Sequence, residues 1–296
     1  MPSVSLPDRA VLRVAGPDAE HFLQNIVTAD LSDLPPDAAK PSALLTPQGK
    51  ILFDFLIARN GPDAFLLDVR GDVIDDFIRR LTMYRLRAKA DISKQEQMLV
   101  SAEWEGDSDC SANESSASQI DSTGSLGLHD LRFAPRTVLR RYATTDQSSD
   151  TLDRWNRLRI SEGVAESGSD YALSDAFPHD VLLDQNGGIG FKKGCYVGQE
   201  VVSRMQHRGT ARRRVLIARS DAALPPSGTE VTANGRSIGA LGTVAGKSAI
   251  AIVRIDRVKD AQDAGVPILA GDATLDLSIP PNARFTFPID ATAEST

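Results

Sequence analysis

Residues 189–200 read Ile-Gly-Phe-Lys-Lys-Gly-Cys-Tyr-Val-Gly-Gln-Glu, and they hold Cys195, one of two cysteines in 296 residues. Lys192 and Lys193 precede the thiol, Gly194 and Gly198 flank it, and Val201, Val202 and Met205 follow at the spacing of a helix face. That spacing predicts a helix that begins at Cys195. Cations and a helix N-terminus both favour thiolate over thiol, and flanking glycines let the backbone turn sharply around an uncovered sulfur. A free cysteine is also a small hydrophobe that packs well in cores. The residue types therefore leave two readings, a reactive thiol and core filler.

Beyond Gly209 the apolar pattern changes from helical to period two. Val215–Ala218, Glu230–Thr232, Ile238–Val244, Ala249–Ile255 and Thr274–Ile279 read as short strands, with Asn234-Gly235 a hairpin turn. Together they predict a small antiparallel β-barrel. On the N-terminal side, Val11–Val14 reads as a strand and Gly16-Pro17-Asp18-Ala19-Glu20 as a helix start. Thr46-Pro47-Gln48-Gly49 is a turn into the strand Lys50–Arg59, whose apolar residues on both sides predict cover on both faces. Asn60-Gly61-Pro62-Asp63 turns into Phe65–Val69, and Val73, Ile74, Phe77, Ile78 and Leu81 follow at helical spacing. Residues 105–127 are polar and Ser-rich and read as a flexible loop, with Cys110 incidental to it. Leu152–Gly163 reads as a helix capped by Gly163, and 164–188 as an extended connection. The expected fold class is α+β, with a lobe over 1–209 and a C-terminal barrel over 210–296.

Composition bounds the function. Hydrophobic residues make up 41% and charged residues 25%, as in ordinary globular proteins, and the net charge is −7. That balance argues against a protein that coats nucleic acid or an anionic membrane. Two cysteines build no disulfide framework and supply too few thiolates for a four-cysteine cluster site. The first residues lack an Arg-rich amphipathic presequence, and no run approaches the roughly 20 apolar residues of a membrane helix. The expected compartment is the cytoplasm.

Gly188-Ile189-Gly190 meets Lys193 where a dinucleotide fingerprint needs its third glycine, so that reading fails. His21, His129, His179 and His207 have no metal-ligand spacing, and no metal site is expected. Arg204, His207, Arg208 and Arg212–Arg214 form a basic run, either a solvated helix end or a dock for a polyanion. Trp155 reads as core packing or as a wall for a flat heterocycle. Asp54 lies mid-strand among apolar residues, where a buried carboxylate needs an arginine or the amino edge of a pterin-like ring as partner.

Lys193-Gly-Cys-Tyr-Val-Gly-Gln-Glu200, followed by Arg204, resembles the signature K-G-C-Y-x-G-Q-E of the YgfZ family of folate-binding proteins, paralogues of the glycine cleavage T-protein (aminomethyltransferase). Gly16–Leu31 resembles that family's opening helix and Thr46–Asp54 its turn-glycine-lysine-strand segment. The resemblance implies a folate-binding lobe with a ferredoxin-like part, then a C-terminal β-barrel. It implies a tetrahydrofolate-dependent role in assembly or repair of iron–sulfur clusters, with iron–sulfur client or carrier proteins as partners. Cys195 and Lys193 would carry the chemistry, and Trp155, Asp54, Tyr196, Gln199, Glu200 and Arg204 would line the cofactor site. The T-protein's adjacent aspartates become Phe53-Asp54, and its Arg-Leu-Glu-Ala-Gly becomes Arg159-Ile-Ser-Glu-Gly163. Both changes argue against aminomethyl transfer, the rival activity. A scaffold that docks iron–sulfur carriers without catalysis is the other alternative.

Overall fold

The computed structural model describes residues 1–105, 125–145, 148–209 and 211–288. Cys110 and most of the Ser-rich segment lie outside the described residues. The chain forms two compact units: Met1–Trp155 with Asn186–Ser203, and Asn156–Gln185 with Arg204 onward.

The first unit is built on a nine-stranded sheet. In chain order its strands are β1 (Ser3–Ser5), β2 (Arg9–Ala15), β3 (Ala38–Leu45), β4 (Ile51–Arg59), β5 (Ala64–Arg70), β6 (Asp91–Lys94), β7 (Leu99–Trp104), β8 (Leu126–Asp130) and β9 (Val138–Ala143). Across the sheet they run β1-β7-β9-β8-β3-β4-β5-β2-β6. All pairs are antiparallel except β3 with β8, where Ala38 stands opposite His129. Alternation decides which side of β4 is buried. Phe53, Phe55 and Ile57 point into the core with helices α1 (Ala19–Gln24) and α2 (Ile74–Arg85). Phe77 of α2 packs on Phe53 and Phe55 at ring distances of 4.9 and 5.0 Å. Leu52 is half-buried and packs against this same core, while on the other side Leu56 is buried and Asp54 only half-buried. The expected double cover therefore holds for only part of the strand.

Helices α3 (Leu152–Glu162) and α4 (Gln199–Arg208) each run from the first unit into the second. Gly163 ends α3 at φ 68°, and a Cβ there would lie 2.4 Å from Pro280 Cγ. The start of α4 departs from expectation: it begins at Gln199, four residues after Cys195. Gly198 has φ 79°, a left-handed conformation that no α-helix contains, so the helix starts only beyond it. A helix dipole acts within the first turn, and Cys195 is outside that turn.

The second unit carries a seven-stranded antiparallel sheet, the C-terminal barrel. Its strands are β10 (Arg213–Arg219), β11 (Glu230–Ala233), β12 (Arg236–Ala245), β13 (Ser248–Arg254), β14 (Ile268–Ala270), β15 (Ala273–Thr274) and β16 (Asp276–Ser278). Asn234 and Gly235, at φ 51° and 67°, form the turn between β11 and β12. The strand expected to reach Ile255 stops at Arg254. Ile255, Val258 and Ala261 then bury one face of a helix, α5 (Ile255–Asp263). Residues 164–188 are a series of turns rather than an extended strap. Asp170 staples them to the barrel: its carboxylate accepts from Glu166 N at 2.7 Å, Arg159 Nη1 at 2.8 Å and Thr243 N at 2.6 Å.

Candidate functional site: an exposed thiol on a pinned loop

The loop carrying Cys195 is anchored on both sides by residues of the first unit. Upstream, Thr28 Oγ1 donates to Gly188 O at 2.7 Å and Gly190 N donates to Thr28 O at 2.8 Å. A Cβ on Gly190 would lie 2.9 Å from Asp30 Cβ, so only glycine allows this approach. Lys193 is buried, and its ammonium donates to Val27 O at 2.7 Å and Ala29 O at 2.8 Å. Downstream, a Cβ on Gly198 would lie 2.6 Å from Thr46 O, and one on Gly49 would lie 2.8 Å from Val201 Cβ. The Thr46–Gly49 turn and the start of α4 are thus in close contact.

Cys195 is exposed between these anchors, and a Cβ on the neighbouring Gly194 would meet nothing within 4 Å. The structure selects the accessible thiol over the core-filler reading. Rigid flanks and an uncovered sulfur suit a group that is presented to a partner, because little ordering remains to be done on contact.

Burial lowers the Lys193 ammonium to about 8, against an opposing pull from Asp30, while Lys40 lowers it further. The Lys193 Nζ also lies 5.3 Å from the ring centroid of Tyr196. Tyr196 is buried, which pushes its phenol up to about 12, so it remains neutral. Burial pulls the Asp30 carboxyl upward, but hydrogen bonds from Ser32 and Gln24 and the charge of Lys193 bring it below its ordinary value. The Lys193 donors are thus directed at two backbone carbonyls of the 27–29 segment.

The remaining expected site residues lie elsewhere. Gln199 and Glu200 open α4, with Glu200 exposed. Arg204 is exposed on the same helix, in the part that belongs to the second unit. The basic run is partly paired: Arg213 reaches Asp175 at 3.0 Å, Arg214 is buried on Asp184 at 2.6 Å, and Arg212 lies 3.8 Å from Asp256, with Arg204 and Arg212 both exposed. Asp54 stands opposite Ala43, half-buried, with no ion pair to its carboxylate among the described residues. Trp155 is 1% exposed and packs on Trp104 at 5.8 Å and Phe133 at 5.2 Å. Its ring is core packing, and its Nε1 has no hydrogen-bond partner among the described residues.

Beside Trp155 is a charged cluster that sequence reasoning missed. The Arg140 guanidinium carbon is 5.6 Å from the indole centroid, and Arg140 Nε lies 3.4 Å from Asp68 and 3.5 Å from Asp130. Arg9 reaches Asp68 at 2.6 Å, and Arg132 reaches Asp130 at 2.7 Å. Burial, reinforced by Asp68, raises the Tyr142 phenol well above its ordinary value. The available signal was the alternation in β9, which puts Val138, Arg140 and Tyr142 on the buried side.

Two family descriptions match the chain: "GCVT N-terminal domain" over residues 8–100 and "CAF17, C-terminal beta-barrel domain" over residues 212–285. The iron-sulfur cluster assembly factor IBA57 homolog of Chaetomium globosum is 31% identical over 246 residues, covering 71% of this chain and 54% of that protein. The mouse and human IBA57 proteins are each 29% identical, covering 86% of this chain and 78% of their own length. Aminomethyltransferase T of the glycine cleavage system from Bartonella henselae superposes with a TM-score of 0.70 at 15% identity, over 94% of this chain and 84% of that one. That likeness is one of fold. The IBA57 relatives are mitochondrial proteins, which overturns the expected cytoplasmic address. The relatives carry the name IBA57 where the signature pointed to YgfZ, and what the comparisons share is architecture: a match to the GCVT N-terminal domain, a match to the CAF17 C-terminal beta-barrel domain, and a fold like that of the aminomethyltransferase.

Proposed function

We propose that this chain supports the assembly of iron–sulfur clusters, with Cys195 as the thiol that meets the cluster cargo or its carrier protein. The observation that carries the reading is the exposed, free sulfur on a loop pinned at Lys193 and Gly198. The names of the IBA57 relatives support it. On engaging iron the thiol would lose its proton to solvent and bind as thiolate. Gln199 and Glu200 follow on α4 as polar groups for the same encounter. In this proposal the cofactor lobe is 1–209 and the barrel 210–296.

Tetrahydrofolate is the proposed cofactor, supported by the GCVT domain and the aminomethyltransferase-like fold. When bound it supplies a reduced pterin able to carry one-carbon units. Asp54 fits this group, as a half-buried carboxylate without an ion pair that would accept from an aminopyrimidine edge. Trp155 does not fit as a stacking wall, because its ring is sealed among Trp104, Phe133 and Arg140. Aminomethyl transfer is disfavoured by the same residues as before. Phe53 is buried on Phe77, and Ser161 Oγ donates to Leu158 O at 2.9 Å, so neither site offers the second carboxylate that the T-protein resemblance requires.

Two measurements test the reading. Cys195→Ala should fold normally yet fail to restore cluster-enzyme activity in cells that lack the chain; full restoration refutes the thiol role. Calorimetric titration with tetrahydrofolate should show one site, weakened at least tenfold in Asp54→Asn; equal affinity in that variant removes Asp54 from the cofactor site.

A further inference from the structure

The barrel unit contains a cavity of about 1000 Å³ that the thiol chemistry does not use. Small-molecule sites span roughly 300–1000 Å³, so this one is large enough for a substantial ligand. Its wall holds five arginines, Arg212, Arg214, Arg254, Arg257 and Arg284. Among its described lining residues the carboxylates are Asp184, Asp256 and Asp260, two fewer than the arginines, in a chain whose net charge is −7. Such a concentration of cation in an acidic protein calls for an explanation.

Several of these guanidinium groups are already held in place. Arg254 donates to both oxygens of Asp256, at 3.2 and 2.7 Å. Arg214 Nη1 donates to Asp184 at 2.6 Å and to His179 O at 2.8 Å, and its guanidinium carbon lies 5.0 Å from the ring centroid of Phe285. Arginine has five N–H donors, so a pair with one carboxylate fixes the group and leaves donors for a second anion. Arg284 has no carboxylate within ion-pair distance among the described residues, and its backbone N–H is fixed on Gln185 Oε1 at 2.9 Å. Phe285 and Phe287 pack against the barrel core and give this wall an apolar backing. A second cavity of about 560 Å³ shares Arg254, Arg257 and Asp260 with the first and adds Arg236. The positive surface therefore extends past the reach of a single anionic group.

We propose that the barrel unit is a binding site for a small molecule bearing two or more linked oxyanion groups, a polyphosphate or an oligocarboxylate. The site is independent of Cys195. Arg284 and the exposed Arg212, whose one carboxylate contact is a long 3.8 Å pair with Asp256, are the groups that close on the ligand, while Arg214 and Arg254 form its prearranged floor.

The test is calorimetric titration of the full chain with inorganic tripolyphosphate, ATP and tetra-γ-glutamate. At least one probe should bind at a single saturable site. Its affinity should fall about tenfold in Arg284→Gln and again in Arg212→Gln, each removing one charge-assisted contact. Both side chains are exposed, so thermal melting should show the variants folded. Tightest binding by ATP would assign a nucleotide and tightest binding by the glutamate oligomer a carboxylate chain; Cys195→Ala should bind either one unchanged. No saturable binding by any probe, or equal affinity in both arginine variants, overturns the proposal.

Discussion

Lys193→Met is the sharpest probe of how the thiol loop is held. The ammonium donates two charge-assisted hydrogen bonds, to Val27 O and Ala29 O. Each such bond contributes about 1.5–3 kcal/mol, or about 3–6 kcal/mol for the two. Against this stands the burial of the charge, which lowers the group from 10.5 to about 8 and so costs about 3 kcal/mol. The difference predicts that Lys193→Met loses about 1.5 kcal/mol at pH 7. The pH dependence identifies the cause. A lysine whose folded value lies below its unfolded value binds fewer protons when folded, so its contribution to stability rises as pH passes from about 8 toward 10.5. Wild type should therefore gain about 2 kcal/mol over the variant between pH 7 and pH 10. Urea unfolding of both proteins across that range measures the gap. A gap near zero at pH 7, or one that does not widen with pH, refutes the anchoring argument. The rate of Cys195 labelling by a disulfide reagent, in a Cys110→Ala background, should also change in the variant as the loop loosens.

Three other perturbations read the same structure. Gly198→Ala places a Cβ 2.6 Å from Thr46 O at φ 79° and should cost about 2 kcal/mol or more; Gly194→Ala meets nothing within 4 Å and should be neutral in thermal melting. Cys195→Ala removes an exposed side chain and should shift stability by less than about 0.5 kcal/mol while abolishing thiol labelling in the Cys110→Ala background. Burial raises the Asp180 carboxyl to about 6. A raised acid binds more protons when folded, so stability falls as pH rises from about 4 through 6. Asp180→Asn should flatten that slope in melting experiments, and an unchanged slope would falsify the assignment.

Much of the core was legible because single elements have a period. The alternation in Ile51–Arg59 located Phe53, Phe55 and Ile57, and Asn234-Gly235 placed a hairpin. Where expectation failed, a longer-range contact intervened. Gly198 is left-handed because it sits against Thr46 O, more than 150 residues earlier in the chain, and this moves the start of α4 away from Cys195. Ile255 continues an apolar strand pattern, yet Val258 and Ala261 turn the next residues into a helix against the barrel. Arg140 looks like a surface cation until Asp68 and Asp130 are seen on either side of it.

By itself the sequence settled the α+β class, the antiparallel barrel and the motif around Cys195. Those features depend on local period, turn chemistry and the identity of neighbouring residues. Only the tertiary structure decided that the thiol is exposed, that Lys193 serves two distant carbonyls, and that five arginines of the second unit line one open cavity. Exposure, hydrogen-bond partners and cavities arise where segments far apart in the chain meet, and no local pattern of residues encodes that meeting.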